Sequence, residues 1–256
     1  KPVLWSYLRL LHNQADMNVC TSQTVLQELT IRGFRHVRLW QRGVNLELFK
    51  PEHRSKEMRR RLTGGEPDKR LLLYVGRLAA EKEIEKIRDV LHASDQYRLA
   101  IVGDGPHRQS LEQYFAGTNT VFTGFLHGEE LAAAYASSDL FVFPSTTETL
   151  GLVLLEAMAS GLPCLAAESG PTREQVTEGV NGFLYDPTDP QGLTKTVAAM
   201  WEEPQKREQA GQGARKTALS YGWEAPSEQI YECYNTVLQM KTSMVRNRSR
   251  MKEKDA

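Results

Sequence analysis

Leu71-Leu72-Leu73-Tyr74-Val75-Gly76-Arg77-Leu78-Ala79-Ala80-Glu81-Lys82 is the stretch on which the fold turns. The run from Leu71 to Val75 reads as a strand buried on both faces, ended by Gly76-Arg77, a short loop and a helix beginning near Lys82. The same unit recurs along the chain. Further strands are expected at 17–20, 36–39, 98–102, 120–122, 140–143, 162–166 and 183–185, and helices at 22–32, 81–94, 109–115, 128–136, 150–159, 191–203, 205–221 and 226–240. Short apolar runs bounded by Gly, Pro or Asp alternate with charged helical segments. That order predicts an α/β fold, a Rossmann-like parallel sheet with helices on both faces.

In such sheets ligands bind beyond the C-terminal ends of the strands. Gly76, Arg77 and Lys82 stand at such an end, and a planar guanidinium with a mobile ammonium suits a nucleotide diphosphate. The alternative is a pair of surface cations bridged to Glu81 or Glu85. Val102-Gly103-Asp104-Gly105-Pro106 ends a second strand, but Arg108 replaces the last Gly of a dinucleotide fingerprint, and no P-loop motif occurs. Thr123-Gly124-Phe125-Leu126 ends a third, where backbone groups could meet a base edge or simply turn.

Glu148-Thr149-Leu150-Gly151-Leu152-Val153-Leu154-Leu155-Glu156 places two carboxylates around what reads as the first turns of a buried helix. Glu156 is the single charged residue between Thr149 and Ala167. A buried carboxylate must be hydrogen-bonded, and its two acceptor oxygens suit a vicinal diol. The N–H groups of Leu150, Gly151 and Leu152 could face an anion at the helix N-terminus. The competing reading has Glu148 capping the helix and Glu156 paired with an internal Arg or Lys.

The 256 residues balance 32 basic against 32 acidic side chains, so no global field argues for nucleic acid. Lys50 to Arg61 and Lys241 to Ala256 each carry six basic and two acidic residues, and read as a solvated linker face and a disordered tail. The three cysteines are too far apart for a disulfide framework or zinc site, and the six histidines show no metal spacing. Without an Asp-x-Asp pair, the two cations and the helix N-terminus would neutralise a leaving diphosphate with no metal. No apolar run is long enough to span a bilayer.

Residues 1–45 are expected to be the end of a preceding domain plus linker, in a chain that opens mid-domain. Residues 46–222 would form the ligand-binding domain, 223–240 a C-terminal helix packing back toward the preceding domain, and 241–256 the disordered basic tail.

Taken in order, Gly76-Arg77-Leu78 with Glu81-Lys82, Gly103-Asp104-Gly105-Pro106, the Glu148 to Glu156 motif and Ala157-Met158-Ala159-Ser160-Gly161-Leu162-Pro163 resemble the C-terminal donor-binding half of retaining GT-B glycosyltransferases of family 4. More narrowly, Arg54-Ser55-Lys56-Glu57-Met58-Arg59, Gly65-Glu66-Pro67, Leu131-Ala132-Ala133-Ala134-Tyr135-Ala136-Ser137 and Glu148 to Val153 resemble the sulfoquinovosyltransferases of plants, algae and cyanobacteria. Leu150 replaces the usual Phe, Glu83 stands where many relatives have Gly, and 167–173 differs from the Gly-Gly-Ile-Pro-like loop.

The resemblance implies transfer of sulfoquinovose from UDP-sulfoquinovose to diacylglycerol. Arg77 and Lys82 would hold the diphosphate, Glu148 would contact the sugar, and Glu156 would take the ribose hydroxyls. Gly76, Phe125, Leu126, Thr149, Leu150, Gly151 and Leu152 would complete the donor site. It implies no metal or other cofactor and no nucleic-acid partner. The acceptor lipid would be bound by the other domain, at the periphery of a chloroplast or cyanobacterial membrane, on the stromal or cytoplasmic side. Other readings are a family-4 transferase of UDP-glucose, UDP-galactose or GDP-mannose, and a non-catalytic nucleotide-sugar-binding module.

Overall fold

The computed structural model describes residues 2–147 and 151–254, with the side chains of 3–147 and 151–243. The chain divides into two compact units, one made of 1–43 with 223–256 and the other of 44–222. In the first, helix α1 (Pro2–His12) precedes strand β1 (Asn18–Cys20), helix α2 (Gln23–Ile31) and strand β2 (Val37–Leu39), with β1 and β2 paired in parallel. Ser22 caps α2 by accepting from the Val25 N–H. The C-terminal helix Glu224–Lys254 belongs to this unit, where the Trp40 indole donates to the Pro226 carbonyl at 2.9 Å and Lys241 pairs with Asp16 at 2.8 Å.

The second unit runs through α3 (Lys56–Leu62), β3 (Arg70–Val75), α4 (Arg88–Ala93), β4 (Tyr97–Val102), α5 (Arg108–Tyr114), β5 (Thr120–Gly124), α6 (Gly128–Ala136) and β6 (Leu140–Phe143). It continues with α7 (Leu152–Ala159), β7 (Cys164–Ala167), α8 (Gly170–Arg173), β8 (Gly182–Tyr185), α9 (Gly192–Glu202) and α10 (Pro204–Ala218). Among the described residues its six strands form one sheet in the order β5-β4-β3-β6-β7-β8, every neighbour parallel.

The period of two along each strand builds a core on each face. Leu71, Leu73 and Val75 join Phe141, Phe143, Cys164 and Ala166 beneath Met58 and Leu62 of α3, Tyr135 of α6, Leu154 and Met158 of α7 and Ala214 of α10. Leu72 and Tyr74 join Leu99, Ile101, Val142 and Leu165 beneath Val90 of α4, Leu111 of α5 and Val197 of α9. Both faces are thus dry, as the continuous apolar strands require. Below the sheet, the Arg59 guanidinium grips Asp139 at 3.0 and 2.8 Å and also donates to the carbonyls of Ser137 and Lys69, while Asp139 accepts from the Leu71 N–H at 2.8 Å. One ion pair therefore aligns the starts of β3 and β6.

Several boundaries differ from the sequence reading. In place of one helix over 81–94, two short 3₁₀ turns, Ala80–Lys82 and Ile84–Ile87, precede α4, because Glu83 between them is left-handed at φ 52°. Helix α7 starts at Leu152 instead of 150, since Gly151 is left-handed at φ 58° and caps it from outside. Helix α1 has no counterpart in the sequence reading, although its apolar residues, Val3, Leu4, Tyr7, Leu10 and Leu11, keep helical spacing. In the run read as a solvated linker face, Ser55 caps α3, accepting from the Met58 N–H, and Met58 and Leu62 face the core four residues apart. Helix α8 rests on a capping box in which Ser169 and Thr172 satisfy each other's backbone N–H. The last helix continues to Lys254 through the expected disordered tail, a stretch that has no Gly or Pro and is rich in Lys, Arg and Met.

Candidate functional site

Strand β3 lies in the middle of the sheet with β4 on one side and β6 on the other, so the chain winds away in opposite directions from this pair. The crevice beyond their C-terminal ends is the topological switch point, where open α/β sheets place ligands. On the β3 side the chain crosses the end of β4 at backbone distance. Gly76 N–H donates to the Val102 carbonyl at 3.0 Å, Leu78 N–H to the Asp104 carbonyl at 2.9 Å and His107 N–H to the Leu78 carbonyl at 2.9 Å. A Cβ on Gly103 would strike the Gly76 carbonyl, and one on Gly105 would strike the Leu78 carbonyl. The motif that resembled a dinucleotide fingerprint thus carries glycines because another loop packs on it.

That packing fixes the loop bearing Arg77 and Lys82. Arg77 is exposed and paired with Glu81, the partner that the alternative reading named. Lys82 is half-buried at the end of the first 3₁₀ turn. From the β6 side, Ser145 Oγ and Thr147 Oγ1 both donate to the Glu81 carbonyl, at 3.4 and 3.3 Å. The loop that carries the cations is thereby joined to the loop that leads into α7. Exposed ion pairs contribute about 0–1 kcal/mol, so an arriving dianion can replace Glu81 as the partner of Arg77.

Glu148, Thr149 and Leu150 lie outside the described residues. Gly151 is buried at the helix mouth, and a Cβ there would also come within 2.6 Å of the Gln175 amide. The N–H groups of Leu154 and Leu155 both reach the Gly151 carbonyl. Those of Leu152 and Val153 precede any intrahelical acceptor, so the first turn can donate to an anion. Leu152, Val153 and Glu156 form the half-buried stripe of a helix whose Leu154, Leu155, Ala157, Met158 and Ala159 are buried.

Glu156 accepts from the Tyr135 hydroxyl at 2.8 Å. Burial pushes its carboxyl above the ordinary glutamate range, and the Tyr135 bond opposes that shift. Tyr135 is fully buried, and desolvation followed by the charge of Glu156 pushes its phenol well up, so it remains a donor. The partner of Glu156 among the described residues is therefore a neutral hydroxyl, where the competing reading expected an internal cation. Tyr135 joins the candidate site without having been expected there, because its place in an Ala-rich helix reads as core alone.

Thr123-Gly124-Phe125-Leu126 lies where β5 ends, and the Gly124 carbonyl accepts from the Gly103 N–H at 2.8 Å. Phe125 is 66% exposed and stacks on the His127 ring at 6.0 Å between centroids, whereas the Leu126 side chain turns into the core. Phe125 thus offers an aromatic face, and Leu126 could serve a ligand through its backbone alone. Among the described residues no three His, Cys, Asp or Glu side chains converge as a metal site, and no helix is long and apolar enough to cross a membrane.

Comparison with known proteins gives a consistent picture. Residues 55–217 match the family of group 1 glycosyl transferases. The sulfoquinovosyl transferase SQD2 of Arabidopsis thaliana is 42% identical over 233 residues, 89% of this chain and 46% of that protein. A GDP-mannose-dependent alpha-mannosyltransferase of Mycolicibacterium smegmatis is 36% identical, over 91% of this chain and 60% of its own. The chain spans about half the length of these relatives. Among solved structures, a sucrose-phosphate synthase from Thermosynechococcus elongatus superposes with a TM-score of 0.82 at 26% identity, covering 94% of this chain and 63% of that one. HepE of Anabaena in complex with UDP-glucose gives 0.82 at 25% identity, over 91% and 68%.

Proposed function

Since the chain belongs to the group 1 glycosyl transferases, we propose that it supplies the donor-binding half of a retaining enzyme that moves sulfoquinovose from UDP-sulfoquinovose to diacylglycerol. The observation that carries the reading is that Ser145 and Thr147, on the loop leading to α7, donate to the Glu81 carbonyl in the loop that bears Arg77 and Lys82. The first turn of α7 and the half-buried carboxylate of Glu156 follow on the same side of the switch point in the proposed arrangement. A diphosphate lying between the cations and the helix N-terminus would have its growing negative charge stabilised as it departs, without a metal. The ribose diol would donate to Glu156, whose lower side Tyr135 already satisfies. The base would lie against 124–126, with Phe125 as its stacking face. Glu148 would contact the transferred sugar. The acceptor lipid would be held by sequence beyond this chain, at a photosynthetic membrane.

The 42% identity to the plant sulfoquinovosyl transferase supports the sulfonated sugar. The second reading, transfer of mannose from GDP-mannose, is favoured by the 36% identity to the mycobacterial mannosyltransferase. Donor competition in the full-length protein separates the two. With labelled diacylglycerol as acceptor, UDP-sulfoquinovose should give product and UDP-glucose, UDP-galactose and GDP-mannose should compete weakly. Product from GDP-mannose alone would overturn the proposal in favour of the second reading.

A further inference from the structure

Among the described residues, Glu83 and His36 are the non-glycine residues with a left-handed backbone, each at φ 52°. That conformation crowds any residue with a Cβ and persists where its surroundings impose it, commonly beside functional sites. Glu83 forms the corner between the two 3₁₀ turns. Its N–H donates to the Ala80 carbonyl at 3.1 Å, and its carbonyl accepts from the Lys86 N–H at 3.2 Å. The corner drives Ile84 and Ile87, both 0% exposed, into the core immediately after Lys82. A glycine would make the same turn without strain. A carboxylate here also adds negative charge beside a site whose other features attract an anion. Both considerations argue against Glu at this position unless its side chain has work of its own.

The side-chain contacts identify that work. Oε1 pairs with Lys86 Nζ at 3.1 Å, and Oε2 accepts from Thr146 Oγ1 at 3.4 Å. Tyr185, whose hydroxyl donates to the Pro144 carbonyl at 3.5 Å, is raised above the ordinary tyrosine range by burial and then by the Glu83 charge. Glu83 therefore follows Lys82 on one wall of the crevice and holds Thr146, five residues before Gly151, on the other. The neighbouring ties, from Ser145 and Thr147, end on the Glu81 main chain. The Glu83 tie joins two side chains, so it can be removed alone.

We propose that Glu83 is a positioning residue for the donor diphosphate: it fixes the spacing between Lys82 and the N-terminus of α7 by binding the β6–α7 loop at Thr146. The proposal rests on the nucleotide-sugar reading above. It is tested by calorimetric titration of the chain with UDP, together with melting temperatures, for the wild type, Glu83→Gly, Thr146→Val, the double variant and Glu83→Gln.

Glu83→Gly should melt no lower than the wild type, because the strain is relieved, yet bind UDP roughly three- to tenfold more weakly, the worth of one lost hydrogen bond. Thr146→Val should weaken binding similarly, and the double variant no further than the weaker single, since both remove one tie. Glu83→Gln keeps an acceptor for Thr146 and should recover most of the affinity. Unchanged UDP affinity in Glu83→Gly and Thr146→Val, whatever their melting temperatures, overturns the proposal while leaving the donor reading intact. A wild-type chain that does not bind UDP defeats the donor reading itself, and the proposal falls with it.

Discussion

Glu156 is where physical chemistry could be read most directly from the letters. A lone acid in a long uncharged stretch needs a partner, and the structure supplies half of one in Tyr135. The other half of its acceptor capacity is what a ribose diol would use. Tyr135 itself was illegible because nothing local distinguishes a tyrosine whose ring fills a core from one whose hydroxyl also orients a carboxylate; that depends on α6 and α7 meeting. The native carboxyl holds its proton more tightly than it would in the unfolded chain. Stability from this group is therefore full below the ordinary glutamate value, about 4.3, and is lost as pH rises through the raised native value. Glu156→Gln should accordingly melt higher than the wild type at neutral pH, with the gap closing near about pH 4, while its UDP affinity falls by about tenfold or more. Melting curves across pH and a UDP titration check both parts. A gap independent of pH would mean that burial does not raise the Glu156 carboxyl.

Among the elements, the strands were the legible part because each is buried on both faces and announces itself as an apolar run closed by a breaker. The segment after β3 was not, since a single left-handed residue, Glu83, divides what composition alone reads as one helix. The linker assignment around Lys50 to Arg61 concealed α3 for a different reason: its charges are conspicuous, whereas the role of Arg59 depends on Asp139, eighty residues away. With side chains 15% and 24% exposed, that pair is shielded, and Asp139 also accepts from the Leu71 N–H near the start of the central strand. Arg59→Ala should therefore lower the unfolding free energy by about 3 kcal/mol, the cost of stranding a shielded charge. Urea denaturation measures this directly; a loss below about 1 kcal/mol would place the pair among ordinary surface bridges.

At the scale of the whole molecule, the 44–222 unit holds every described residue of the proposed donor site, whereas 1–43 and 223–256 form a separate compact unit. The parallel sheet, its switch point and the family were legible from ordered motifs, because each motif sits at a strand end where the fold leaves little freedom. The sugar and acceptor were not, since the chain spans about half of its relatives and Glu148, the residue proposed to contact the sugar, lies outside the described residues. The balanced charge of 32 basic and 32 acidic residues supplies no general attraction for anions, so nucleotide affinity must come from local geometry. This chain by itself should house a metal-independent UDP site. Calorimetric titration of the chain with UDP and with GDP, each with and without a chelator, measures that property. Selective UDP binding that the chelator leaves unchanged is expected; preference for GDP, binding abolished by chelation, or no binding of either nucleotide would contradict it.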